Sequence, residues 1–254
     1  MININGEEKR IVLFDTNCLS EIINNKGTFI KNLLERFNPK EYVYAITYYN
    51  IIELYHRDEN SKKKIKEFLS HLPILLFVDI GNVIVEEYKN CNVIAEKLIM
   101  TSLCDLDNFN VSIYDYFSFL DRNTDSGFFD RMDKLALKWM EEREKANKNW
   151  KEKFTENLLQ EMNECSQQFF NDLSITTIGK YKSLEVQAYI KNEFITQTNQ
   201  EIKRNSVIDS YNASYIPYVD AFITERFVGS IIQQAKKKLK YLTLEICKIS
   251  ELYD

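Results

Sequence analysis

The feature that most constrains the fold is a recurring unit in which a short apolar run ends in polar residues and a helix-like stretch follows. The run IVLF, within Arg10–Phe14, closes on Asp15, Thr16 and Asn17. YVYAIT (Tyr42–Thr47), ILLFVDI (Ile74–Ile80), YVDAFIT (Tyr218–Thr224) and YLTLEICKI (Tyr241–Ile249) repeat the pattern. Continuous runs rich in β-branched and aromatic residues suit strands buried on both faces. Between them, Leu19, Ile22, Ile23, Phe29, Ile30, Leu33 and Leu34 fall at helical spacing within Leu19–Phe37, with a break at Gly27. Tyr49–His56, Asp58–His71, Val83–Met100, Ser206–Tyr215 and Phe227–Lys238 also read as helices, and Pro73 and Pro217 read as stops. Strands alternating with helices imply a central, mostly parallel sheet covered on both faces, hence a three-layer α/β fold.

The texture changes between residues 128 and 201. Charged and amide residues dominate there, while Trp139, Met140, Trp150, Phe154, Leu158, Leu159, Met162, Phe169 and Phe170 recur at helix-like intervals. This stretch is expected to be a helical insertion, a hairpin or small bundle, dividing an α/β domain at 1–127 and 202–254. Its apolar spacing is too loose for a long heptad seam.

Composition excludes several classes. The net charge is −5, the wrong sign for a protein that coats nucleic acid through one broad basic face. Five cysteines, widely spaced and without a CxxC pair, fit neither a disulfide framework nor a zinc site and point to a reducing cytoplasm. With two histidines, zinc chemistry and a Ser-His-Asp triad have little to work with. No apolar run approaches the roughly 20 residues that span a bilayer, so no membrane association is expected, and the opening MININGEEKR does not read as a secretory signal. No GxxxxGK[ST] loop occurs, which removes P-loop ATPases and kinases.

In open α/β sheets, ligands sit beyond the carboxyl ends of the strands. The polar residues there are Asp15-Thr16-Asn17 after the first strand, Thr47 with Glu53 in the next helix, and Thr224-Glu225-Arg226 after a late strand. Asp209 opens the helix feeding that strand, and Asp220 precedes its apolar centre. Taken singly, Asp15 and Asp209 also read as helix N-caps, and Glu53 as a solvated helical residue. Their joint placement carries the functional reading. Several carboxylates packed together repel one another, and a hard divalent cation relieves that repulsion.

FDTNCLSEI, ITYYNIIEL and IDSYNASYIPYVDAFITERF resemble the three signature segments of PIN-domain nucleases, over about residues 9–56 and 206–249. The resemblance implies a Mg2+- or Mn2+-dependent endoribonuclease leaving a 5′-phosphate, with RNA favoured over DNA by analogy alone and a toxin or antiviral defence setting. It assigns Asp15 as first carboxylate, Glu53 as second and Asp209 as third. Glu225 stands where the family usually has Asp, and Asp220 is an additional acid competing with Asp209 for the third metal position. Thr16, Asn17 and Thr224 are expected to orient the acids, and Arg226 to contact phosphate. The runs Lys62, Lys63, Lys64, Lys66 and Lys236, Lys237, Lys238, Lys240 read as solvated helix faces or further phosphate contacts. The insertion is a candidate surface for a second copy or a regulatory protein. The alternative reading is a PIN-like scaffold that binds RNA or protein without cutting. A haloacid-dehalogenase-like phosphatase is disfavoured, because Asn17 stands where a second Asp is needed.

Overall fold

The structure is a computed structural model; it describes residues 1–4, 6–24, 27–72, 74–90, 93–100, 127–145, 154–166, 178–197 and 201–253. At its centre lies β2 (Glu7–Phe14), whose last four residues are fully buried. It is flanked by β3 (Tyr42–Ile46) and β5 (Ala221–Thr224). With β4 (Ile74–Leu76) outside β3 and β6 (Glu245–Lys248) outside β5, the order is β4-β3-β2-β5-β6, all parallel. Alternation along β2 makes two cores. Ile11 and Leu13 face one, and Val12 and Phe14 face the other.

The Val12 side is covered by α1 (Thr16–Ile23), α2 (Gly27–Arg36) and α4 (Glu59–Ser70). The Ile11 side is covered by α5 (Ile80–Lys89), α6 (Phe128–Lys145), α7 (Phe154–Ser166), α8 (Lys182–Thr196), α9 (Arg204–Ala213) and α10 (Arg226–Lys238). α3 (Tyr48–Tyr55) supplies Ile51 and Leu54 to one core and Tyr49 and Ile52 to the other. The three-layer α/β arrangement follows, and among the described residues no helix is long and apolar enough to cross a membrane.

Several boundaries differ from the sequence reading. β1 (Ile2–Ile4) is an unexpected strand, antiparallel to the start of β2, with Gly6 in the left-handed region at φ 83° in the turn. β4 ends at Leu76 because Asp79 starts α5, its carboxylate accepting from the amides of Gly81 (2.9 Å) and Asn82 (3.3 Å). Val83–Met100 is not one helix: α5 stops at Lys89, and residues 98–100 return along β4 instead. Val78 N donates to Leu98 O and Met100 N to Leu76 O, each at 2.8 Å, which satisfies backbone groups at the sheet edge. Tyr218 lies in a short 3-10 turn, Ile216–Tyr218, because Pro217 cannot donate to a ladder, so β5 begins only at Ala221. β6 is likewise shorter than Tyr241–Ile249, since a turn carries the chain from α10 to Glu245. Pro73, Trp150, Phe169 and Phe170 lie outside the described residues.

Helices α6 to α8, from the stretch expected to be a helical insertion, lie against the sheet. They share one continuous core with the Ile11 face of the sheet. α8 is buried from Ser183 to Ile195 and packs against α5, α6, α7, α9 and α10. Two of its buried charged residues have partners that compensate their burial. Lys191 sits 2.9 Å from Glu142 and 2.7 Å from Glu161, and Glu185 accepts from the Gly179 amide and the Tyr241 hydroxyl. At the other end, Arg143 on α6 donates to the carbonyls of Phe194, Ile195 and Gln197, a cationic cap on orphan acceptors.

Candidate active site

The chain passes from β2 to β3 on one side of the central strand and reaches β5 on the other, so a topological switch point lies at the carboxyl end of β2. Asp15 stands there. Its amide still follows the sheet, donating to Ile223 O at 3.0 Å. It occupies the N-cap position of α1 with extended backbone, yet its side chain makes no capping bond. The carboxylate turns toward β5, where Thr224 Oγ1 donates to Oδ2 at 2.7 Å. The other oxygen, Oδ1, is buried and has no hydrogen-bond partner among the described residues. Glu225 repeats the behaviour at the N-cap position of α10, where its side chain makes no capping bond.

Glu53 reaches the same region from α3. Thr16 Oγ1 donates to its Oε2 and accepts from Asn50 Nδ2 at 2.8 Å. Asn50 in turn accepts from the Thr47 amide at 2.7 Å, and Thr47 Oγ1 lies 2.5 Å from Asn212 Oδ1. Thr47, Asn50 and Asn212 are buried, so a polar chain ties α1, α3 and α9 together below the acids. The side-chain nitrogen of Asn212 has no hydrogen-bond partner among the described residues. The sequence reading named Thr47 and missed Asn50, Asn212, Arg57 and Arg204. A Thr-x-x-Asn capping box at Thr47 and the Asp209/Asn212 spacing, one turn apart on a helix, were the available signals.

Electrostatics joins four acids. Burial pushes the Asp15 carboxyl from 3.8 up to about 6, and the charge of Glu225 adds to it. The Thr224 hydroxyl and the amides of Thr16 and Glu225 oppose the rise. Burial raises Glu53 from 4.5 to about 7, opposed by Thr16, reinforced by Asp15 and opposed again by Arg57 and Arg204. Asp209 is held well above the usual carboxylate range by burial, then by Asp15, Glu53 and Glu225. These are the signatures expected where acids share a space. Asp209 lies within α9, in its second turn, not at the helix start as expected.

Asp220 does not belong to this group. Its backbone bonds to Ile11 at the amino end of the β2–β5 ladder, and its Oδ2 accepts from the Ile11 amide at 2.8 Å and lies 3.1 Å from the Met1 ammonium. Thr224 lies four residue steps further on, roughly 13 Å along the strand. The register therefore decides for Asp209 over Asp220 as the acid near Asp15. Asn17 is half-buried in the first turn of α1, and Arg226 is exposed at the start of α10. Of the lysine runs, Lys62 pairs with Glu59 and Lys236 donates to Leu244 O, while Lys63, Lys64, Lys237, Lys238 and Lys240 are exposed.

Among the described residues no three His, Cys, Asp or Glu side chains are drawn together closely enough to hold a metal ion. The donor chemistry nevertheless fits a hard divalent cation. Asp15 Oδ1 is buried and has no hydrogen-bond partner among the described residues, and Asp15, Glu53 and Asp209 are oxygen donors whose carboxyls are raised first by burial and then by one another's charge. No family model, curated protein or solved structure matches the chain.

Proposed function

We propose that the chain is a Mg2+- or Mn2+-dependent nuclease that cuts phosphodiester bonds, with Asp15, Glu53, Asp209 and Glu225 as its acids. One observation carries the reading. A buried aspartate at the switch point of a parallel sheet leaves its capping role unfilled, accepts from Thr224, and interacts through its charge with Glu53, Asp209 and Glu225. Asp15, Glu53 and Asp209 would hold the cation. When bound, it supplies Lewis-acid stabilisation of the scissile phosphate and lowers the pKa of an attacking water. The chain's own groups fix the geometry. Thr224 sets the Asp15 carboxylate, Thr16 sets Glu53, and Asn50 holds Thr16. Burial raises Glu53 to about 7 in the metal-free protein, so binding a cation there would release a proton near neutrality. Arg57 offers positive charge beside Glu53. The preference for RNA, and a setting in toxin or antiviral action, rest on the sequence resemblance alone.

A second reading, a PIN-like scaffold that binds RNA or protein without cutting, draws on the acids not being gathered into a closed cluster. Cleavage assays on single-stranded RNA, structured RNA and single-stranded DNA separate the two. Wild type, Asp15→Asn and Asp209→Asn are compared with Mg2+, Mn2+ or EDTA. Metal-dependent cutting by the wild type, lost in both folded variants, supports the nuclease. No cutting of any substrate and no metal heat by calorimetry support the scaffold.

A further inference from the structure

A second group of side chains adjoins the acids and is built partly from the helical region. Glu53, His56 and Arg57 stand one turn apart on α3 and its end. The ring of Phe129, from α6, lies 4.4 Å from the ring of His56 at a 70° angle. The guanidinium of Arg204, the first residue of α9, lies 4.6 Å over the same Phe129 ring. Asp133, one turn after Phe129 on α6, clamps it with two bonds, to Nε at 2.9 Å and Nη2 at 2.6 Å. Asp209 is carried by the same helix α9.

Stacking and a bidentate clamp order a guanidinium before any ligand arrives. The clamp uses one edge of the fork. The other N–H groups remain directed away from Asp133 on a side chain that is 39% exposed. The charge of Arg204 reaches Glu53. In a chain of net charge −5, a polyanion finds little general attraction, so cations beside the acids must be locally fixed.

We infer that Arg204, stacked on Phe129 and clamped by Asp133, binds a backbone phosphate next to the one cut at the Asp15 site. α6 then contributes to substrate binding as well as to the core. The inference rests on the nuclease reading.

The test is binding of a fluorescein-labelled single-stranded RNA oligonucleotide, read by anisotropy in EDTA across a range of potassium chloride. It compares wild type with Arg204→Ala, Arg204→Lys and Asp133→Ala, each verified as folded by thermal unfolding. Arg204→Ala is expected to weaken binding roughly tenfold and to reduce the slope of log K against log salt by about one. Arg204→Lys is expected to restore the slope and part of the affinity. Asp133→Ala breaks the same ion pair but keeps the guanidinium, so it should keep the wild-type slope. Equal losses in Arg204→Ala and Asp133→Ala, or an unchanged slope in Arg204→Ala, would mean that Arg204 only ties α9 to α6, and would overturn the inference. If the wild type cuts RNA while Arg204→Ala binds normally, this inference falls alone. A wild type that neither binds nor cuts RNA removes the nuclease reading with it.

Discussion

The Thr224 hydroxyl donates a 2.7 Å hydrogen bond to one oxygen of Asp15 while the other oxygen stays buried and unpaired. Thr224 thus supplies a side-chain hydrogen bond to this carboxylate. Replacing it with Val keeps the shape and removes the donor. We expect Thr224→Val to destabilise the metal-free protein at neutral pH by about 1–3 kcal/mol, the cost of leaving a buried acceptor unmade. Thr224→Ser should recover most of it. Urea unfolding in EDTA measures both, and a Val variant as stable as wild type would remove Thr224 from its assigned role.

The raised acids give the metal-free protein an inverted pH dependence. Folding raises Asp15 from 3.8 to about 6 and Glu53 from 4.5 to about 7, so the folded state holds protons more tightly than the unfolded chain. Their stabilisation is fully present below about pH 4 and is lost as pH rises through 6 to 7, about 3 kcal/mol for Asp15 alone. In EDTA, Asp15→Asn should therefore gain stability relative to wild type between pH 5 and pH 8. A constant difference between the two proteins across a urea series over that range would contradict the assignment.

Metal binding should reverse that penalty. A cation bound only by the folded state adds about 2.7 kcal/mol at a concentration one hundred times its Kd. Mn2+ is expected to raise the melting temperature of the wild type at pH 8 and to leave Asp15→Asn and Asp209→Asn close to their EDTA values. Equal shifts in all three proteins would place the ion elsewhere.

Glu87 on α5 caps the start of α8, accepting from the Ser183 amide at 2.8 Å and its hydroxyl at 2.6 Å, and from the Tyr218 hydroxyl. Ser183→Ala removes one donor from a buried carboxylate. The expected loss is about 1–3 kcal/mol, with faster hydrogen exchange along α8 and unchanged cleavage per folded molecule. A variant with wild-type stability would show that this junction contributes little.

The sequence discloses a residue's role best where its burial is simplest. Ile11–Phe14 is buried on both faces, so an unbroken apolar run sufficed to place the central strand. Asp209 and Asp220 show the opposite case. Both are acids near β5, and only the pairing of Asp220 with Ile11 separates them by strand direction. Asn50 and Asn212 are neutral amides with no chemical signature of their own, and their importance appears only when Thr47 lies between them. The depth at which α8 is buried does not show in its sequence, because Glu185 and Lys191 look like surface residues. Their partners, Tyr241, Glu142 and Glu161, are far away in the chain.

The distance along the chain between Asp15 and Thr224 has a consequence for how the protein is made. The two are 209 residues apart, and β5 must dock beside β2 before that carboxylate is oriented. A growing chain on the ribosome therefore carries Asp15, Thr16 and Glu53 without Asp209 and Thr224 until α9 and β5 have been made. Pairing at such separation is slow and comes late in folding. Asp15 meets Asp209 and Thr224 only once α9 and β5 have been made, so the oriented carboxylate belongs to the folded chain and to no shorter N-terminal fragment of it.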